Sequence, residues 1–139
     1  MILLLIRHAS AGDRDEWTGD DRRRPLDERG RRQAEKLVPL LAPYEPVRIL
    51  SSPADRCVQT VEPLARARGL SIELREELAE EHQATESAAL VLGLAGEAVA
   101  ISCHGGLSEV LVGESQKKGE TIVLELQDDR LVMVDRIRA

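Results

Sequence analysis

The chain has 139 residues, a net charge of −6, 42% hydrophobic residues and only two aromatic side chains, one Trp and one Tyr. This composition indicates one globular domain over residues 1–139, and the negative charge disfavours a nucleic-acid-binding protein, which needs a basic surface. No apolar run approaches the roughly 20 residues that cross a membrane, and the N-terminus lacks the features of a signal peptide. We therefore expect a cytoplasmic protein whose partners include neither nucleic acid nor membrane.

The first predicted elements are a buried strand and a helix, separated by a long polar loop. Residues 2–6 form a continuous apolar run, which is typical of a strand buried on both faces of a parallel sheet. Residues 10–25 are polar, and a long loop directly after a buried strand is often functional. Asp27 is the predicted N-cap of the helix, which Pro39 should bend or shorten near its end.

The next predicted pair is a short strand over residues 47–50 and a helix. Ser52 is a predicted N-cap, and Pro53 stands at the first helical position, which suits proline. The apolar residues that follow recur at helical spacing, although Pro63 conflicts locally with a helix.

The rest of the chain continues the alternation. Strands are predicted at 71–74 and 98–102 with a helix over 84–95 between them, and residues 121–126 and 131–137 form a terminal hairpin. Alternating strands and helices predict an α/β fold, a three-layer α/β/α sandwich with a mostly parallel central sheet.

Cys57 and Cys103 are the only cysteines. Both lie in apolar stretches and no CxxC pair is present, so we expect buried, reduced thiols.

Two apolar strands end in histidine, at Arg7-His8 and at Cys103-His104. In an open α/β sheet, ligands bind at the carboxyl ends of the strands, so both imidazoles and Arg7 should meet at one edge. Arg56 lies in the first turn of the predicted helix after Pro53, where unpaired N–H groups favour an anion. A guanidinium can donate two parallel hydrogen bonds to two oxygens of one phosphate, so Arg7 and Arg56 make this edge suited to bind phosphate.

A neutral histidine in such a setting can attack phosphorus and become transiently phosphorylated. The cations hold the phosphate oxygens, so we expect no metal and no other cofactor. An alkoxide leaving group needs a proton, and the acidic stretch Glu76, Glu77, Glu80 and Glu81 could supply it from the same edge. Most acidic residues in such a stretch face water. We therefore expect one member to act as the acid and the others to be solvated.

Four ordered segments carry a resemblance to a known family. They are residues 5–9 (LIRHA), 24–34 (RPLDERGRRQA), 51–60 (SSPADRCVQT) and 102–106 (SCHGG). In these segments the chain resembles the histidine phosphatase superfamily, which has the phosphoglycerate mutase-like fold, and within it the small SixA-like branch. It is also similar to the C-terminal phosphatase domain that is fused to Nudix hydrolases in mycobacteria.

The resemblance implies His8 as the nucleophile, with Arg7, Arg56 and His104 forming the phosphate pocket. Leu78-Ala79-Glu80 resembles the family's Leu-x-Glu segment and favours Glu80 as the acid, while Glu77 and Glu81 remain open.

The chain departs from the family pattern in two places. Ala9 replaces the commoner glycine and is expected to crowd the backbone beside the phosphate. The segment between Gly106 and Thr121 is short, so the helix after the second histidine should be truncated.

We therefore predict a metal-independent phosphatase that hydrolyses small phosphomonoesters through phospho-His8. One alternative is a SixA-type protein phosphohistidine phosphatase, and another is a catalytically weak phosphate-binding module. A mutase is disfavoured because the chain lacks the insertions of mutases. The expected partner is thus a small phosphorylated substrate or a phosphohistidine-bearing protein. Residues 22–24 are three successive arginines, and we expect their side chains to face water.

Overall fold

The computed structural model describes residues 2–94 and 98–139 and contains six strands in one sheet. The strands are β1 (Ile2–Arg7), β2 (Arg48–Ser51), β3 (Ile72–Leu74), β4 (Val99–Cys103), β5 (Glu120–Gln127) and β6 (Arg130–Arg138). Their order is β3-β2-β4-β1-β5-β6, and β3, β2, β4 and β1 pair in parallel. β5 is antiparallel to β1 and to β6, so the predicted terminal hairpin extends a mostly parallel sheet.

Four α-helices cover the sheet. They are α1 (Glu28–Leu41), α2 (Asp55–Arg68), α3 (Ala84–Leu92) and α4 (Leu107–Val112). The predicted helix over 84–95 thus ends at Leu92, and its last predicted residue lies outside the described residues. The helix after the second histidine has six residues, as the short segment predicts. Within the described ranges, no helix is both long and apolar enough to cross a bilayer.

Alternation along β1 separates two apolar layers, one on each face of the sheet. Leu3 and Leu5 pack with buried residues of α3 and α4, whereas Leu4 and Ile6 pack with those of α1 and α2. All four of these β1 side chains are fully buried. A continuous apolar run is what a strand needs when both of its faces are covered, and the predicted α/β/α sandwich is confirmed.

The start of α1 is fixed by its cap and by a close backbone approach. Asp27 accepts a hydrogen bond from the N–H of Gly30 at 2.8 Å, which confirms the predicted N-cap. Asp27 also accepts from the Ser10 hydroxyl at 2.7 Å. A Cβ on Gly30 would lie 2.0 Å from the Ser10 carbonyl oxygen, so only glycine lets α1 approach this loop. The beginning of α1 therefore positions the chain that follows β1.

The predicted start of α2 is wrong by two residues. The N-cap is Ala54, not Ser52, and Pro53 precedes the helix. The Ser52 hydroxyl bonds His104 and accepts from the N–H of Ala54, which precedes the helix, so it caps no N–H of α2 itself. The two prolines expected to disturb helices are accommodated, since α1 continues through Pro39 to Leu41 and α2 continues through Pro63.

Candidate active site

Polar side chains gather where β1, β2 and β4 end, at the carboxyl edge of the parallel strands. His8 follows β1 and His104 follows β4, and these two strands are parallel neighbours. Their imidazole rings consequently lie edge to face with centroids 5.5 Å apart. Arg56, the second residue of α2, is directed to the same edge. The structure therefore brings together the residues that strand and helix ends predict.

The side chain of His8 has a defined tautomer. It is 4% exposed, and its Nδ1 lies 2.8 Å from the carbonyl oxygen of Ala9. Because a carbonyl oxygen only accepts, Nδ1 carries the proton and Nε2 keeps its lone pair. Burial lowers the pKa of His8 to about 3, against the opposing effect of the hydrogen bond to Ala9. At neutral pH the ring is therefore uncharged, with Nε2 available as a nucleophile.

His104 is held by hydrogen bonds at both ring nitrogens. Its Nδ1 lies 3.0 Å from the Glu80 carboxylate, which accepts, so Nδ1 carries the proton. Its Nε2 then accepts from the Ser52 hydroxyl at 2.9 Å. Burial, reinforced by the charge of Arg56, lowers the pKa of His104 to about 4, while Glu80 opposes this shift. His104 is therefore a neutral donor with a fixed orientation.

The guanidinium of Arg56 is buried beneath the two histidines. The residue is 1% exposed and donates to the Asp21 carbonyl oxygen at 2.8 Å and to the Glu80 carboxylate at 2.9 Å. Within the described part of the chain, its buried Nε has no hydrogen-bond partner. A buried cation with an unused donor is well suited to hold an anion.

Arg7 contributes a second guanidinium to this edge. Its Nη1 donates to the backbone carbonyl of Gln116, and its buried Nε has no partner among residues 2–94 and 98–139. A Cβ on Gly105 would lie 3.2 Å from Cζ of Arg7. Glycine at this position therefore lets the guanidinium lie against the backbone beside His104.

Glu80 is the member of the acidic stretch that reaches the histidines. Its carboxylate lies 2.7 Å from Arg14, 2.9 Å from Arg56 and 3.0 Å from His104. Burial raises the pKa of this carboxyl group, but the hydrogen bond to Arg14 and the charge of its neighbours outweigh burial and hold it below its usual value. In the resting site, the Glu80 carboxylate therefore accepts hydrogen bonds from groups that would have to donate to an anionic substrate.

Other acidic residues of the stretch form ion pairs away from the histidines. Glu76 and Glu81 pair with Arg22, and Glu77 pairs with Arg75. Arg22 is partly exposed while its side chain links the loop after β1 to the acidic stretch, and Arg23 faces water as expected.

His8, Glu80 and His104 line a cavity of about 420 Å³. Four cations contribute to its wall, namely Arg7, Arg14, Arg24 and Lys118. The expectation that Arg24 faces water is wrong, because it is buried and donates to the carbonyl of Ala11. No sequence signal distinguishes Arg14 or Lys118 from a solvated cation, since the conformation of a loop decides where its side chains point.

Two polar side chains from the recognised segments hold the backbone after His8. The N–H of Ala9 donates to the Thr60 hydroxyl at 2.9 Å, and the N–H of Ser10 donates to the Gln33 side chain at 2.9 Å. These residues were part of the sequence resemblance without a predicted role. They keep the tautomer-setting carbonyl of Ala9 in place beside His8.

Ala9 does not crowd the cavity. Its side chain is fully buried and packs with Ala11, Leu26 and Ala34. The methyl group therefore points into a small apolar cluster, which explains why alanine fits where the family more commonly has glycine. The two cysteines are also free and buried, as predicted.

The fold and this site together define a class of protein. The sequence model of the histidine phosphatase superfamily (branch 1) matches residues 3–89, a range that contains His8, Arg56 and Glu80. The chain belongs to the histidine phosphatase superfamily.

Individual relatives refine the comparison. The chain is 36% identical over 151 aligned positions to an 8-oxo-(d)GTP phosphatase of Mycolicibacterium smegmatis, covering 96% of this chain and 47% of that protein. It thus spans about half the length of this relative.

Solved structures with the same fold include proteins named as phosphohistidine phosphatases. A protein of Agrobacterium tumefaciens assigned as the phosphohistidine phosphatase SixA superposes with a TM-score of 0.82 and 26% identity, over 99% of this chain and 97% of that one. The protein histidine phosphatase SixA complexed with tungstate superposes with a TM-score of 0.80 and 21% identity, with the same coverage of 99% and 97%.

Proposed function

We propose that this chain is a metal-independent phosphatase in which Nε2 of His8 attacks phosphorus and forms a phosphohistidine intermediate. The observation that carries the proposal is the hydrogen bond from Nδ1 of His8 to the carbonyl of Ala9, which leaves the lone pair on Nε2. Burial keeps this ring neutral, with a pKa of about 3. We retain residues 1–139 as one phosphatase domain in this proposal.

The first half of the reaction forms a bond between Nε2 and phosphorus and breaks the bond from phosphorus to the leaving oxygen. The donors of Arg7, Arg56 and His104 hold the phosphate oxygens as charge redistributes. A bound phosphate dianion pairs with Arg14 and Arg56, the cations that contact Glu80 in the resting site. Loss of these ion pairs raises the pKa of the Glu80 carboxyl group. Glu80 takes up a proton from solvent as the substrate binds and then transfers it to the departing oxygen.

The second half releases the phosphate. The Glu80 carboxylate removes a proton from water, the water oxygen bonds to phosphorus, and the bond from phosphorus to Nε2 breaks. His8 returns to its neutral form, and Glu80, protonated while phosphate is bound, gives its proton back to solvent when phosphate leaves and its ion pairs form again. Arg7 and Arg56 supply the positive charge in both steps and His104 donates as a neutral ring, so the proposed reaction needs no metal or other cofactor.

The proposed substrates are small phosphomonoesters, with nucleotides as one class. The mycobacterial relative, an 8-oxo-(d)GTP phosphatase, supports a nucleotide as substrate. Because this chain spans about half of that protein, the activity of the whole relative does not transfer directly.

A second candidate is a protein phosphohistidine phosphatase. It is supported by 26% identity to the Agrobacterium tumefaciens protein over nearly the full length of both chains. A phosphohistidine leaving group scarcely needs an acid, so activity on it would depend less on Glu80 than activity on an alkyl phosphate.

The test is hydrolysis of p-nitrophenyl phosphate in the presence of EDTA by wild type, His8→Ala and His82→Ala. His82 is the matched control, because it is partly exposed and pairs with Glu86 outside the proposed machinery. We expect turnover in wild type and His82→Ala and none in His8→Ala. Undiminished turnover by folded His8→Ala would overturn the mechanism. A folded wild type inactive on both p-nitrophenyl phosphate and a phosphohistidine peptide would favour the phosphate-binding module.

A further inference from the structure

A second cleft adjoins the candidate active site. Its volume is about 260 Å³, and Trp17, Pro25 and Leu26 give it apolar walls. Gly12 and Arg24 line both this cleft and the cavity that contains the histidines. A molecule with its phosphate at His8 could therefore extend into the cleft.

Trp17 offers a flat aromatic surface in this cleft. It is the only tryptophan of the chain and is 38% exposed. Its indole N–H already donates to the carbonyl of Asp20 at 3.0 Å, which fixes the ring from within its own loop. The group left available is the face of the ring, and such faces stack on planar heteroaromatic groups.

The charged side chains that line the cleft are Asp13, Glu16, Arg24 and Asp27, and all of these except Glu16 are already hydrogen-bonded within the loop or at the start of α1. The Glu16 side chain has no hydrogen bond or ion pair within the described residues. A free carboxylate accepts from N–H groups and repels other anions. It therefore favours a ring that carries N–H donors over a second phosphate.

Gly12 leaves the passage between the two spaces open. Its φ is +65°, and a Cβ at this position would meet no atom within 4 Å. The absence of a side chain here leaves room for the group that links a phosphate to a ring.

We propose that this cleft binds the leaving group of the substrate, a flat heteroaromatic ring with N–H donors such as a nucleobase. The ring stacks on Trp17 while its N–H groups donate to Glu16. This inference rests on the proposed function only in that the phosphate of the same molecule sits at His8.

Fluorescence tests binding without turnover. Guanosine 5′-monophosphate is titrated into His8→Ala, and the emission is corrected by the same titration of free tryptophan. Because Trp17 is the sole tryptophan, a saturable change in emission reports on this cleft. We expect that change with guanosine monophosphate and none with glycerol phosphate. Equal responses to the two ligands, or no saturable response to the nucleotide, would overturn the inference.

Kinetics of Trp17 variants give an independent test. Losing a base–aromatic stack should raise KM for guanosine monophosphate about tenfold or more in Trp17→Leu. KM for glycerol phosphate and kcat for both substrates should change little, and Trp17→Phe should recover most of the affinity. Parallel changes for both substrates, or none for the nucleotide, would contradict the inference while leaving the proposed phosphatase intact. If wild type hydrolyses neither substrate, the fluorescence titration alone decides the cleft, while the p-nitrophenyl phosphate assay still decides the proposed function.

Discussion

At the scale of residues, Glu80 connects the resting site with the proposed reaction. Its carboxylate contacts Arg14, Arg56 and His104, so it neutralises part of the positive charge that would bind phosphate. The same contacts hold its pKa below the usual value. Substrate binding must separate Glu80 from at least some of these partners, and that separation is what turns a carboxylate into a proton donor.

Glu80→Gln should therefore have opposite effects on binding and turnover. Inorganic phosphate should bind more tightly, because a competing negative charge is removed. Turnover of an alkyl phosphate should fall by about 10²–10⁴-fold for want of a general acid. The kcat/KM for p-nitrophenyl phosphate, which reports only the phosphorylation of His8, should fall much less, since p-nitrophenolate departs without a proton.

The measurements are phosphate binding by calorimetry and kcat/KM on the two substrates, with Glu77→Gln as the control. Glu77 pairs with Arg75 outside the site, so its variant should behave as wild type. Equal losses of kcat/KM on the two substrates in Glu80→Gln would contradict the role of Glu80 as acid.

At the scale of elements, the loop after β1 is shaped by the start of α1. The carbonyl of Ser10 accepts from the N–H of Asp27 at 3.0 Å and lies against Gly30. Asp27 is therefore both the cap of α1 and the anchor of the loop, through its bond to the Ser10 hydroxyl. This contact lies two residues from His8, so packing of the helix and geometry of the nucleophile are linked.

Gly30→Ala should destabilise the protein by about 1–3 kcal/mol, because a methyl group is forced against the Ser10 carbonyl. The measurement is urea unfolding, with Gly93→Ala as the control. At Gly93 the nearest atom to a new Cβ is 3.4 Å away and φ is −83°, so alanine fits there. Similar stabilities of the two variants would contradict the close approach.

Element types could be predicted because apolar runs and caps are local signals. The exceptions follow from tertiary contacts. Ser52 has the chemistry of an N-cap, but a histidine distant in sequence takes its hydroxyl. Likewise, the arginines of the loop after β1 carry no local sign of their partners: Arg14 reaches Glu80 and Arg24 reaches Ala11 only once the loop has folded.

At the scale of the whole molecule, the strand order makes the site. β1 and β4 are far apart in sequence but adjacent in the sheet, which brings His8 next to His104. The alternation of strands and helices predicts a parallel sheet, whereas the order of strands depends on crossovers that no local pattern encodes. Because two neutral histidines are buried at this edge, the free energy of unfolding also depends on pH.

Stability should fall as pH falls below 6.5. The folded state holds the pKa of His8 at about 3, while the unfolded chain has the ordinary value of 6.5. Between these values the unfolded state binds more protons, so acid favours unfolding. From pH 6.5 to 4 this one residue should cost on the order of 3 kcal/mol.

Urea unfolding of wild type and His8→Asn at both pH values measures this contribution. Asparagine can keep the donor to Ala9 but does not titrate, and the other acid-sensitive groups are common to both proteins. The free energy of unfolding should therefore fall less with acid in the variant. Parallel pH dependences would contradict a buried, neutral His8.

The central claim, that His8 carries the phosphoryl group, is tested most directly by trapping the intermediate. Wild type is mixed with p-nitrophenyl phosphate in EDTA, quenched in alkali during turnover to preserve phosphohistidine, and digested for mass spectrometry. We predict one added phosphoryl group on the peptide that contains His8, lost on acid treatment and absent when substrate is omitted. Turnover with the phosphoryl group on another residue would contradict the account.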